Sequence, residues 1–199
     1  RSGWRWNTAK AFLRPALKRP NLTLWHSTQV NRLIVAGGEP DGEKRCEGVE
    51  VKREGTTQLA RACREVVLSA GAIGSPQILQ LSGIGPGELL KQHGIDVVHE
   101  LPGVGENLQD HLQIRSVYKV KGAKTLNTMA STLWGKAGIG MEYLLKRTGP
   151  MSMAPSQLCA FTRSSEDYTH PNLEYHVQPL SLEAFGQPLH DFPAITASV

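Results

Sequence analysis

The sequence predicts a mixed α/β (α+β) chain in two parts, divided near residue 108. Three observations carry this reading. Residues 64–70 form the short β-branched, apolar run of a buried strand. They lead directly into Gly71-Ala72-Ile73-Gly74-Ser75-Pro76, a glycine turn followed by a helix start. A strand that runs through glycines into a helix N-terminus is where α/β proteins hold nucleotides, so residues 1–107 read as part of a Rossmann-like domain. Beyond His111, residues 113–120 alternate polar and apolar side chains, the pattern of a half-exposed antiparallel strand. Residues 108–199 therefore read as part of a second domain built on an antiparallel sheet.

In chain order, Ala9, Phe12, Leu13, Ala16 and Leu17 recur at helical spacing, predicting a helix over 4–17 that Arg19-Pro20 closes. Residues 22–25 and 30–35 are strand-like, and the turn-rich stretch 37–42 follows them. Two more strands are expected over 46–53 and 62–69, joined as a hairpin by Glu54-Gly55-Thr56-Thr57. Ser75 is expected to cap the next helix, with Pro76 at its first position, where a missing N–H costs nothing. A short helix over 88–93 ends at Gly94, and a strand over 95–100 returns. In the second part, a helix over 133–145 is expected despite its three glycines, with Thr148-Gly149-Pro150 as its stop. Strands over 158–162 and 173–179 complete the antiparallel sheet.

Composition narrows the class of function. A hydrophobic content of 40% suits a packed core, and the net charge is only +4. Lys10, Arg14, Lys18 and Arg19 fall at helical spacing, but no aromatic interleaving accompanies them, so they read as a solvated face and no nucleic-acid partner is expected. No apolar run reaches the roughly eighteen residues that a membrane-spanning helix needs. Cys46, Cys63 and Cys159 lack Cys-x-x-Cys spacing, and no His pair at i, i+4 has a third ligand nearby, so no metal site is expected. Cys159, beside Ala160 and Phe161, reads as buried. The localisation that fits is cytoplasmic or peripheral to a membrane.

A dinucleotide-binding unit opens with Gly-x-Gly-x-x-Gly, which occurs nowhere in the 199 residues. Gly83-Ile84-Gly85, Gly103-Val104-Gly105 and Gly138-Ile139-Gly140 lack the third glycine and read as turns.

The fifteen residues from Gly71 to Gly85 resemble the second signature of the glucose/methanol/choline (GMC) family of flavoprotein oxidoreductases: a small-residue pair, Ser-Pro, two aliphatics and Ser-Gly-aliphatic-Gly. The resemblance extends along nearly the whole chain. Ala11-Phe12-Leu13-Arg14-Pro15-Ala16 and Arg19-Pro20-Asn21-Leu22-Thr23-Leu24 resemble the family's approach to its flavin-domain sheet, and Leu101-Pro102-Gly103-Val104-Gly105-Glu106-Asn107-Leu108-Gln109-Asp110-His111 resembles its crossing into the substrate domain. Choline-dehydrogenase-like members are the most similar. The resemblance implies a partial FAD-binding domain over 1–107, a partial substrate-binding domain over 108–199, and the middle portion of a longer enzyme whose main base follows residue 199.

FAD is the cofactor so implied. Val30, in Thr28-Gln29-Val30, matches the valine whose main-chain N–H and C=O meet the adenine edge, a donor and an acceptor side by side. Ser69, Ala70 and Gly71 would pass the ribose and pyrophosphate, with Ser75 at the helix start. His111 and His176 match histidines of the substrate domain that would steady an alkoxide-like oxygen as auxiliary catalytic groups. Gln113 takes the place where choline-oxidising relatives carry a glutamate facing the trimethylammonium group, and a neutral amide gives up most of that Coulombic attraction. Trp4, Trp6, Trp25 and Trp134 do not read as a cation-binding cage.

The implied reaction is oxidation of a primary alcohol, choline or another aliphatic or aromatic one, to the aldehyde by hydride transfer to flavin N5. Oxygen or a redox carrier would accept the electrons, and the isolated chain would be inactive. The rival readings are a nicotinamide-dependent dehydrogenase and a non-catalytic α/β binding module.

Overall fold

The computed structural model describes residues 2–37, 43–154, 156–184 and 186–199. The chain divides into two compact units, residues 20–110 and residues 1–19 with 111–199. Residues 1–19 cluster with residues 111–199 rather than with residues 20–110. Most of the turn-rich stretch 37–42 lies outside the described residues.

In the first unit, β1 (Thr28–Ala36), β2 (Arg45–Arg53) and β3 (Thr56–Arg61) form an antiparallel sheet in that order. Arg53 pairs with Thr56, so the hairpin loop is only Glu54-Gly55, at φ 51° and 80°. Two positive φ values give a turn whose twist matches the strands, and Gly55 takes one at no steric cost. This corrects the expected second strand over 62–69. The two-residue turn places β3 six residues earlier, and residues 65–69 pair with no strand among the described residues. Val67 is 76% exposed there, so the β-branched run has no packed partner. Residues 22–25 likewise stay outside any ladder, with Leu22, Leu24 and Trp25 exposed.

Helix α2 spans Gly71–Leu81. It begins earlier than expected, so Ser75 is not the cap and Pro76 is not its first residue. Gly71, at φ 86°, makes the sharp entry, and Ser75 Oγ reaches back to accept the Ala70 N–H at 3.0 Å. Pro76, the sixth residue of the helix, lies inside it and has no N–H to offer the Ala72 carbonyl, so one helical hydrogen bond is missing there. The helix stops at Gly83, φ 78°, because only glycine takes that conformation freely.

Strands β4 (Ile84–Gly85) and β5 (His99–Glu100) pair in parallel around α3 (Gly87–Gln92). The expected strand over 95–100 is thus shortened to its last two residues. Gly94, φ 68°, donates to the Lys91 carbonyl, and Ile95 donates to that of Leu90, a glycine-based helix stop. Leu90, 1% exposed, anchors α3.

The second unit carries the sheet β6 (Arg115–Lys119), β9 (Ala194–Ser198), β8 (Leu173–Gln178), β7 (Leu158–Thr162), antiparallel throughout and in that spatial order. Strand β9 occupies the interior of the sheet and was not expected. Its buried face is Ala194, Thr196 and Ser198, small and partly polar, which gives no hydrophobic alternation to read.

A π-helical turn (Ala9–Leu13) runs into α1 (Arg14–Ala16). It starts later than the expected residue 4 because Asn7 Oδ1 accepts the Lys10 N–H at 3.0 Å, taking up a free amide of the first turn. Helix α5 (Leu133–Lys146) follows α4 (Leu126–Met129). Thr132 Oγ1 caps its start by accepting the Gly135 N–H, and Gly138-Ile139-Gly140 lies inside it rather than in a turn. Buried Asn127 holds Ser181 and His190 by donating to their carbonyls and accepting the Ser181 N–H.

Candidate functional site

In the first unit, Ser69, Ala70 and Gly71 lie exposed at the entry to α2. A Cβ built on Gly71 would meet no atom within 4 Å, so the main chain there faces open space. Ala72, Ile73, Pro76 and Gln77 line a cleft of about 780 Å³ whose other wall is residues 105–109. Ile73 is 75% exposed beside it. Ser75 is partly buried and holds the turn rather than lining it.

Val30 sits in β1 opposite Val51, immediately before a bulge at Asn31. Strand β1 is an edge of its sheet, so half of its backbone groups face away from β2. The Val30 carbonyl accepts from Gln29 Nε2 at 2.9 Å. Nearby, Glu50 bridges the bulge, accepting from Arg32 and from Asn31. The Arg32 guanidinium, followed by the Asn31 amide, holds the Glu50 carboxyl below the usual carboxylate range.

In the second unit, His111 and Gln113 are exposed on the approach to β6. Ile114 already pairs with Val199 in both directions, so Gln113 sits at the end of the ladder. His176 is on β8, opposite Ser198 of β9 and Cys159 of β7, and Ser198 is in turn opposite Arg115 of β6. Register partners share a face, so Arg115, Ser198, His176 and Cys159 form one cross-strand row. Glu174, two residues before His176, shares that face.

His176 is engaged at both ring nitrogens. Nε2 lies 2.9 Å from Glu174 Oε1, and Nδ1 lies 3.4 Å from Cys159 Sγ. One polar atom from each of the three side chains lies within 4.8 Å of the others. Sequence spacing missed this grouping, since Cys159 is brought to His176 only by strand register. Cys159 is exposed, contrary to expectation, because β7 is the edge of the sheet and its residues are all exposed.

The Arg53 guanidinium stacks over Trp25 at 5.3 Å and that of Arg147 over Trp4 at 4.1 Å, so these two rings already serve cations of the protein itself. Trp134 is 86% exposed.

The GMC oxidoreductase family model matches residues 1–113. The chain belongs to the GMC oxidoreductase family. It is similar to the oxygen-dependent choline dehydrogenase of Brucella ovis, 42% identical over 186 residues, covering 94% of this chain and 32% of that one. Among solved structures it is similar to a formate oxidase, with a TM-score of 0.74 and 27% identity over 92% of this chain and 36% of the other. A fungal aryl-alcohol oxidase gives 0.66 and 28% over 80% and 27%. The chain thus spans about a third of the length of the curated relatives it matches.

FAD is the cofactor of this family. The open backbone at Gly71 and the small exposed side chains of Ser69, Ala70 and Ala72 fit a dinucleotide approaching the start of α2.

Proposed function

We propose that these residues form one wall of the FAD site and part of the substrate domain of an enzyme that oxidises a primary alcohol to the aldehyde. The observation that carries the reading is the α2 entry, an unobstructed main chain at Gly71 built from a family signature. Residues 69–71 pass the ribose and pyrophosphate, and Ser75 fixes their turn through the Ala70 N–H. Val30 offers its main chain to the adenine edge, which requires Gln29 to release or share the carbonyl it now contacts. When bound, FAD supplies the hydride acceptor.

On the substrate side, His176, its ring oriented by Glu174 at Nε2, stands as an auxiliary group beside the developing alkoxide. His111 is an auxiliary group of the same kind. Gln113 meets the substrate with a neutral amide, which supports uncharged aliphatic or aromatic alcohols beside choline. Oxygen or a redox carrier accepts the electrons. The 199 residues alone are expected to lose FAD on dialysis and to turn over no alcohol. A flavin spectrum retained after dialysis contradicts this.

The test is aldehyde formation by the intact protein from choline and from neutral aliphatic and aromatic alcohols, with the Gln113→Glu variant alongside. Aldehyde is expected, and Gln113→Glu should raise the preference for choline about tenfold, the equivalent of roughly 1.4 kcal/mol. No aldehyde from any alcohol overturns the reading, and an unchanged preference removes Gln113 from the substrate site.

A further inference from the structure

We propose that Cys159 is an activated nucleophile, deprotonated by His176 with Glu174 behind it, and therefore a site of covalent modification by soft electrophiles of the α,β-unsaturated carbonyl class. The inference rests on the sheet geometry and is independent of the FAD reading. Cys159 and His176 are register partners on β7 and β8, and Glu174 stands on the same face two residues from His176. A carboxylate only accepts hydrogen bonds, so Glu174 at 2.9 Å fixes the proton on Nε2. Nδ1 is then the bare lone pair, and it faces the Cys159 thiol at 3.4 Å.

Transfer of the thiol proton to Nδ1 gives a thiolate beside an imidazolium, and the imidazolium lies between two negative groups. This is the division of roles found wherever a nucleophile, an imidazole and a carboxylate stand in line. The β7 edge of this face is reachable: Cys159 is exposed, and the His176 and Glu174 side chains are 36% and 46% exposed. In the addition step, sulfur attacks the β-carbon and an S–C bond forms. The C=C π bond breaks, and the α-carbon takes the proton held by His176. Nothing is oxidised or reduced.

The other two thiols are built-in controls. Cys63 is exposed, and among the described residues no hydrogen-bonded imidazole accompanies it. Cys46 is half-buried and donates to the Gly48 carbonyl at 3.6 Å. The experiment treats the full chain with substoichiometric N-ethylmaleimide and reads the modification rate of each cysteine by peptide mass spectrometry. Cys159 should react on the order of tenfold or more faster than Cys63. His176→Gln and Glu174→Gln should each lower the Cys159 rate toward that of Cys63 and leave Cys63 unchanged. A rise in Cys46 labelling would reveal unfolding in the His176 variant, and the more exposed Glu174 substitution then decides. Equal rates at Cys159 and Cys63 in the unsubstituted chain, or a Cys159 rate unmoved in a folded variant, overturn the proposal.

Discussion

The Leu33 backbone N–H donates to Ser82 Oγ at 2.8 Å, tying the middle of β1 to the end of α2. Ser82 is buried, 7% exposed, and its hydroxyl donates onward to the Ile78 carbonyl. The serine of the Ser-Gly-Ile-Gly stretch is thereby a structural clasp, and Gly83 beside it ends the helix. Ser82→Ala leaves the Leu33 amide without its acceptor, and the expected cost is about 1–3 kcal/mol. A urea unfolding curve measures it, and an unshifted midpoint would show that the clasp contributes nothing.

Gly71 separates stability from cofactor retention. Its φ of 86° is costly for a residue with a side chain, about 1–2 kcal/mol, yet a Cβ there touches no protein atom. Gly71→Val should therefore weaken FAD binding by the intact protein more than it lowers the melting temperature of the apoprotein. Fluorescence titration with FAD and a thermal melt separate the two effects. Equal losses in both would mean that the side chain disturbs only the fold.

Asn127 is 3% exposed and holds three backbone groups of residues 181 and 190. Asn127→Ala takes this partner from the Ser181 N–H and the His190 carbonyl, while the Ser181 carbonyl keeps the His190 N–H, and a loss of about 1–3 kcal/mol is expected. Denaturant unfolding checks this. A loss no larger than that of an exposed asparagine would mean that the segment is held by other contacts.

The ion pair at the β1 bulge predicts a pH dependence. Hydrogen bonds from Arg32 and then Asn31 lower the Glu50 pKa in the folded chain, with burial opposing them. A depressed carboxylate pKa adds stability above the unfolded-state value, and that stability is lost as pH falls through the folded-state value. Glu50→Gln should therefore be less stable than the unsubstituted chain near neutrality, and the gap should close in acid. A gap that is the same at both ends would show that the charge of Glu50 plays no part.

Much of the fold was legible because it rests on local signals. The Glu54-Gly55 turn, the Gly94 stop, the stop after α5 and the strands around Ala160 and Tyr175 all follow from turn chemistry or alternation within a few residues. What escaped depends on partners distant in sequence. The buried face of strand β9, Ala194, Thr196 and Ser198, is small and partly polar and so carries no hydrophobic signal. The run at 64–69 has strand composition but pairs with no strand among the described residues. At α2, Ser75-Pro76 is the stronger local start signal, but Gly71 allows an earlier entry and Ser75 reaches back to stabilise it. Of the site, the α2 entry was legible as a motif. The facing of Cys159 and Glu174 onto His176 was not, because it is created by strand register.

The most direct test of the central claim is the absorbance spectrum of the intact protein, recorded anaerobically before and after addition of primary alcohols. The account predicts an oxidised-flavin spectrum that bleaches with at least one of them. A protein that carries no flavin, or a bound flavin that no alcohol bleaches, would contradict it.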